Sequence, residues 1–373
     1  MLYIRRVHKW KCTRLLSIAV VLYTVMVCWE DLDHHVLSHV KSYTYRSLVN
    51  KYDFLRSSFH VAPNSNHQND GVDGEKYQLL INHPDKCGSG GDGDNVFLLL
   101  FVKSSPQNLE PRQAIRETWG NETYLWSELK VNVRVVFVLG VDPDSRQRSQ
   151  VQTALLLEDK AHGDLIQQNF DDTFHNLTAK LMLQFQWFYH YCPKALFVMS
   201  ADDDIFVHTP NLIRYLQQVV RSDTGVTDFW VGHVHSGSPP NRRMKSKYYV
   251  SRDVYPWISY PDYTAGAGFV VSNDVSKKIY QATLMLKPSI YIDDVFMGIC
   301  AHIMGVSPQK NAYFLGEGKA HPCIYDDMIT SHGHTKDMHA LWETVADPAV
   351  YSMYQGFFEI VYCTAIRMIL LIW

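Results

Sequence analysis

The residues with the clearest chemical content are Asp202, Asp203 and Asp204, three consecutive carboxylates inside Ala195 to Val207, ALFVMSADDDIFV. Leu196 to Met199 is a short apolar run with β-branched and aromatic members, and Ile205 to Val207 resumes it, so the triplet is expected at a strand end. Adjacent anions about 4 Å apart repel by about 4 kcal/mol per pair at an effective dielectric of about 20. A fold keeps such a group together when a cation or several donors offset the charge. Hard oxygen ligands suit Mg²⁺ or Mn²⁺, ions that keep positions open for phosphates, so the triplet points to metal-assisted handling of a diphosphate. The plainer reading is a solvated acidic turn. Such turns are normally polar on both sides, whereas this one is flanked by apolar residues.

A second acid pair, Asp293 and Asp294, lies in YIDDVFM ahead of an apolar helical run. Separate acid sites would give one group for a metal and one for general base work, while a helix cap is the structural alternative for this pair. Arg112 and Arg116, in RQAIRETWG, are four apart and fall on one helix face near its start, where they meet a phosphate or uracil or simply face solvent. Gly316 to His334 contains His321, His332 and His334, any of which completes a metal shell or stands as an ordinary histidine. In Tyr260 to Ser272, YPDYTAGAGFVVS, the small residues Ala265 to Gly268 allow close backbone approach to a ligand before a strand resumes.

The elements that must hold these groups alternate. Val96 to Val102 is a continuous apolar run ending in Lys103, followed by a loop at Pro106 and the helix carrying Arg112. Val133 to Gly140 reads as a second strand, Leu155 to Gly163 as part of a helix, and Asn176 to Tyr191 as a longer helix bearing Lys180. This alternation predicts an α/β fold with a mainly parallel, doubly wound sheet, whose ligands gather at the carboxyl ends of the strands.

With 373 residues the chain has ample material for a core, and its net charge of −3 and lack of a basic block after the first fifteen residues argue against a nucleic-acid partner. The 22 Tyr and 9 Trp exceed what an average composition needs, and aromatic rings also serve as platforms for sugars.

Residues 1–14 carry Arg5, Arg6, Lys9, Lys11 and Arg14, residues 15–29 carry no charge, and Glu30, Asp31 and Asp33 follow. No small-x-small cleavage site follows the apolar span, so it is expected to be an uncleaved signal-anchor transmembrane helix after a cytosolic tail, with the rest lumenal. Residues 30–93, with Gly, Asp, Asn and Ser-rich stretches, read as a lumenal stem, and 94–373 as the folded domain. Asn121-Glu-Thr123 and Asn176-Leu-Thr178 are N-glycosylation acceptors in that topology. Of the five cysteines beyond the anchor, an oxidising lumen would pair four and leave one, with spacing silent on the pairing. The apolar segment from Ile360 to Trp373 reads either as a membrane-facing helix or as a final core helix.

Taken together, RQAIRETWG, NLTAKLMLQF, DDDIFV, YPDYTAGAGFVVS, YIDDVFMG and the HPCIY to SHGH stretch resemble, in order and spacing over about residues 94–345, the Golgi β-1,3-glycosyltransferases. The resemblance implies a GT-A type Rossmann-like fold and an inverting enzyme that uses a UDP-sugar with Mn²⁺. It implies Asp204 and His332 as metal ligands, and Asp202, Asp203 and Gly266 at the nucleotide sugar. Arg112, Arg116 and Lys180 would lie near the UDP, with Asp294 as catalytic base. Ala267 departs from a glycine-richer family pattern and is expected to narrow the sugar pocket. Among family activities, transfer of GlcNAc from UDP-GlcNAc to a glycolipid with a terminal galactose is the expectation. Galactose transfer and non-catalytic carbohydrate binding are the alternatives.

Overall fold

The computed structural model of the chain describes residues 78–88, 95–222, 226–286, 290–346 and 357–372. The expected tail, the anchor at 15–29 and the stem apart from residues 78–88 lie outside the described residues. Among the described residues no helix is long and apolar enough to cross a membrane.

All six residues of LLLFVK in β2 (Leu98–Lys103) are buried. A strand buried on both faces needs cover on both sides, and its side chains alternate accordingly. Leu99 and Phe101 enter one core cluster, and Leu98, Leu100 and Val102 enter the other. The strand lies in an eight-stranded sheet with β1 (Leu79–Ile81), β3 (Val133–Val141), β4 (Leu165–Asp171), β5 (Phe197–Asp202), β7 (Trp230–His235), β8 (Tyr263–Ser272) and β9 (Gln309–Lys310). The order is β1-β4-β3-β2-β5-β8-β7-β9. A separate two-stranded sheet pairs β6 (Ile205–Val207) with β10 (Thr330–His332).

Leu181, Leu183 and Phe185 of α4 (Leu177–Tyr191), Val275 and Ile279 of α6 (Asn273–Met285) and Val295 to Met297 of α7 (Asp293–Ile303) fill one core cluster. The other receives Ile115 of α1 (Leu109–Glu117), Leu125 of α2 (Glu122–Ser127) and Leu155 of α3 (Arg148–His162), with Leu212 of α5 (Thr209–Arg221) and Leu341 of α8 (Met338–Ala346). Helix α3 stops at Gly163, whose φ of 61° is left-handed and favours glycine.

The α/β expectation holds, with two adjustments. Strands β4, β3, β2 and β5 are parallel, but β8 runs antiparallel to β5 and β7 antiparallel to β8, so the sheet is mixed rather than mainly parallel. A continuous buried apolar run reads the same in either direction, so its pattern carries no sign of that reversal. The folded unit also begins before residue 94. Leu79 and Ile81 pair with β4, and Cys87 is bonded to Cys192 at the end of α4. A three-residue strand is too short to stand out in a polar region, and it is held by pairing and a cross-link instead. The second disulfide is Cys323 to Cys363, and buried Cys300 is the remaining thiol.

Helix α9 (Phe357–Ile372) is fastened along one edge. Cys363 bonds Cys323, while Arg367 donates from Nε to the Cys323 carbonyl and ion-pairs with Asp326 and Asp327. Ile360, Val361, Tyr362 and Met368 are each more than half exposed, while Cys363 is buried and Ile366 packs against the core, so the described part of this helix has one face inward and one outward.

Candidate active site

Because β2 and β5 pair in parallel with Lys103 opposite Asp202, their carboxyl ends deliver a lysine and the acid triplet to one place. Each aspartate of the triplet then takes a different partner. Asp202 Oδ1 lies 3.0 Å from Lys103 Nζ. Asp203 Oδ2 accepts from Ser104 Oγ at 2.7 Å and Asn108 Nδ2 at 2.9 Å, tying the β5 end to the loop after β2. Asp204 Oδ2 stands 3.3 Å from His332 Nε2. Its backbone carbonyl also accepts from the N–H groups of Gly333 and His334, so the β6–β10 sheet holds the two chain segments together.

Lys103 is the residue sequence reasoning passed over. Its Nζ donates to Asp293 Oδ2 at 2.8 Å while also meeting Asp202, so one buried ammonium joins the end of β2, the end of β5 and the start of α7. Burial disfavours its charge, but the two carboxylates outweigh that and hold its pKa above the ordinary lysine value. The available signal was a lysine closing an otherwise apolar strand, since a cation in that position requires an anion nearby.

Asp294 lies beside this triad. The N-cap position of α7 is Ile292, so both aspartates sit inside the first turn and neither caps the helix. Burial, followed by the Asp293 charge, pushes the Asp294 carboxyl up to about 7, with the Val295 N–H and Lys103 pulling the other way. A carboxyl poised near neutrality is suited to accept a proton at working pH. Burial likewise raises Asp202 against the opposing pull of Lys103.

The small residues expected to precede a strand lie within β8. An added Cβ on Gly266 would stand 3.4 Å from Lys103 Nζ and 4.0 Å from Asp294 Oδ2, so this glycine keeps space open between the two. Ala267 packs into the core, so it does not narrow a sugar pocket as expected. Strand alternation puts adjacent positions on opposite faces.

Asp204 and His332 are about one-third exposed and offer one carboxylate oxygen and one imidazole nitrogen. Among the described residues no group of three or more His, Cys, Asp or Glu converges as a closed metal cage. Two donors with open positions fit a divalent ion that shares its coordination with phosphate and water. The other histidines are committed elsewhere. His334 bonds Ser331 and Asp337, and His321 caps the 3₁₀ turn Pro322–Ile324.

The basic residues expected to face UDP act differently. Arg112 is fully buried, and its five N–H groups are matched by five contacts: Glu158 through Nε and Nη2, Ser104 Oγ and the Ser105 carbonyl through Nη1, and the Pro106 carbonyl through Nη2. None remains for a phosphate. Arg116 makes ion pairs with Glu158 and Asp164 and stacks over the Phe137 ring at 4.6 Å. Burial opposes its charge, but the Asp164 and Glu158 bonds outweigh that and raise its pKa. Lys180 is buried and donates to the Ser104 carbonyl at 2.7 Å and Asp172 Oδ1 at 2.8 Å. Arg112 and Lys180 are therefore positioning residues that fix the Ser104 to Pro106 loop from behind. The acid that satisfies Arg112 lies 46 residues along the chain, and the one that satisfies Lys180 lies eight residues before it, beyond the helix start, so neither pairing shows as a helical i, i+4 spacing.

The two sequons also differ. Asn121 caps α2 through Oδ1, whereas Asn176 Nδ2 is engaged by the Asp171 carbonyl and Thr178 is buried against the Ile290 carbonyl.

The family model described as Galactosyltransferase matches residues 110–312. Lactosylceramide 1,3-N-acetyl-beta-D-glucosaminyltransferase A of Danio rerio is 54% identical over 369 residues, covering 98% of this chain and 94% of the relative. Its Homo sapiens counterpart is 48% identical with the same coverage. A solved glycosyltransferase involved in glycosylation of the major capsid of PBCV-1 is 14% identical, with a TM-score of 0.33 over 66% of this chain and 98% of that one.

Proposed function

The chain belongs to the galactosyltransferase family, and from that premise we propose that it transfers GlcNAc from UDP-GlcNAc, in β-1,3 linkage with inversion, to the terminal galactose of lactosylceramide. The names of the relatives at about half identity supply the donor and acceptor. The observation that carries the chemistry is the pairing, at one sheet edge, of a near-neutral carboxyl at Asp294 with the separate Asp204–His332 pair.

In this reaction the galactose 3-oxygen attacks the anomeric carbon, the bond from that carbon to the diphosphate breaks, and UDP departs with the electron pair. Asp294 receives the hydroxyl proton. Asp204 and His332 would hold the Mn²⁺ whose charge offsets the departing diphosphate. Lys103, lying between Asp202 and Asp293, offsets one of their two negative charges and so limits how much they add to that of the nucleotide. Asp203, Ser104 and Asn108 fix the loop beside which the UDP would lie, and Gly266 leaves room for the sugar.

The same reading places residues 15–29 as a signal anchor, with the domain in the Golgi lumen. Two disulfides, and a sequon at Asn121 whose amide nitrogen is left free by capping through Oδ1, support an oxidising, glycosylating compartment. UDP release from UDP-GlcNAc and from UDP-galactose, each with and without Mn²⁺ and lactosylceramide, tests the whole assignment. Acceptor-dependent release from UDP-GlcNAc is expected, and preference for UDP-galactose or indifference to acceptor would refute it.

Asp204→Ala should raise the half-saturating Mn²⁺ concentration by about tenfold or more, since it removes the charged member of a two-donor site. Thermal unfolding should change little, because the carboxylate is partly exposed. Unaltered metal dependence would remove Asp204 from the metal site.

A further inference from the structure

Between β7 and β8, residues 236–262 contain no helix or strand. A loop of that length inside a folded domain is usually functional rather than a mere connection. This one is preorganised. Arg242 donates from Nη1 to the Val250 carbonyl at 2.7 Å and from Nη2 to the carbonyls of Tyr255 and Trp257 at 2.6 and 3.0 Å. Tyr291, two residues before α7, fastens the loop from outside, its single hydroxyl proton shared between the carbonyls of Tyr249 at 2.6 Å and Lys247 at 2.9 Å.

An aromatic cluster has formed around that fastening. The Phe174 ring meets Tyr248 edge-on at 5.2 Å and Tyr291 at 5.9 Å, and His175 lies 4.7 Å from Tyr291. Lys247 Nζ stands 5.1 Å from the Phe174 ring centre and 4.9 Å from that of Tyr248. Phe174 opens the 3₁₀ turn after β4, so the cluster joins three segments: the carboxyl end of β4, the β7–β8 loop and the approach to α7. Asp294 follows Tyr291 by three positions. The cluster is open on one side, where Tyr248 is 44% exposed and Lys247 is exposed, while Phe174 is half-buried and Tyr291 packs against the core. A solvent-facing ring backed by others, with an ammonium beside it, offers what a pyranose needs, an apolar surface for its C–H face and a donor for its hydroxyls.

We propose that Phe174, Lys247, Tyr248 and Tyr291 form the subsite that receives a neutral hexose of the acceptor, stacked on the Tyr248 side of the cluster. The inference rests on the galactoside-acceptor reading and adds where that acceptor lies. Tyr291 links the two, because the residue that holds the platform also leads directly into the turn bearing the base. A sugar seated there is delivered to Asp294 by the rigid start of α7 rather than by a mobile segment.

The test uses the whole chain with lactose as acceptor, comparing wild type with Tyr248→Ala, Phe174→Ala and Tyr248→Phe. Each alanine variant should raise the KM for lactose about tenfold, as expected for loss of an aromatic contact. The KM for UDP-GlcNAc and the slow UDP release without acceptor should stay within about twofold, and Tyr248→Phe should match wild type. Unchanged lactose KM in both alanine variants would overturn the proposal. A raised KM for UDP-GlcNAc instead would also overturn it, by assigning the cluster to the uracil. Absence of transfer to any galactoside by the wild type would refute the underlying reading before any variant is compared.

Discussion

Asp294→Asn should lower turnover by a factor of about 10² to 10⁴, the usual contribution of a positioned general base, while UDP-GlcNAc and Mn²⁺ binding remain normal. The substitution keeps the shape and the oxygen that accepts from the Val295 N–H, but removes the basicity. In the wild type the carboxyl must be ionised to act, so kcat/KM should fall about tenfold per pH unit below about 7, the value to which burial and the Asp293 charge raise it. The variant's residual rate should be flat across that limb. Stability should move in the opposite sense. With its pKa raised, the folded state holds this proton where the unfolded chain has lost it, so stability falls as pH rises from the ordinary aspartate range through about 7. Asn removes that loss, and the variant should melt above wild type at pH 8. Near-normal turnover in Asp294→Asn would confine the residue to a structural role.

Lys103→Met should destabilise the fold by about 3–5 kcal/mol, the range for breaking a buried ion pair and leaving charge uncompensated. Asp293 remains almost wholly buried, opposite Asp202, with no ammonium between them. The cause is separable from lost packing by a second change. Lys103→Met combined with Asp293→Asn should recover more than half the deficit, because the more deeply buried of the two uncompensated carboxylates is then gone. Urea unfolding of the two single variants and the double variant measures the coupling. Additive losses would show that the lysine contributes by volume alone.

The acid triplet was legible because three carboxylates after a buried strand violate local preference, and such violations concentrate at functional sites. The approach of His332 to Asp204 was not legible from spacing; it was implied only by family resemblance, and the short β6–β10 pairing is what brings the two together. Arg112 shows the opposite limit. A helix face announces a pair of arginines, but whether they face a ligand or the interior depends on Glu158 and Asp164, which reach them only through the packing of α3 and the start of β4. Lys103 was hidden for a related reason, since its meaning comes from the register that sets it opposite Asp202. Strand direction was hidden too. The apolar run of β8 gives no sign that it opposes β5, yet that reversal is what sets Gly266 beside Asp294.

The cross-link between Cys323 and Cys363, 40 residues apart, has a bearing on the order in which the protein becomes competent. Cys323 belongs to the turn that precedes β10, the strand ending in His332. Asp204 precedes Cys363 in the chain, but its neighbouring strand β6 pairs with β10, so Asp204 gains its partner only once that later segment has emerged. Closure removes about 4 kcal/mol of chain freedom from the unfolded side in the loop-entropy description. Until α9 has been synthesised and oxidised onto the turn, the segment presenting His332 lacks that restraint, so the O,N pair matures last. A nascent or reduced chain would thus hold the His332 segment less firmly beside Asp204 than the oxidised chain does.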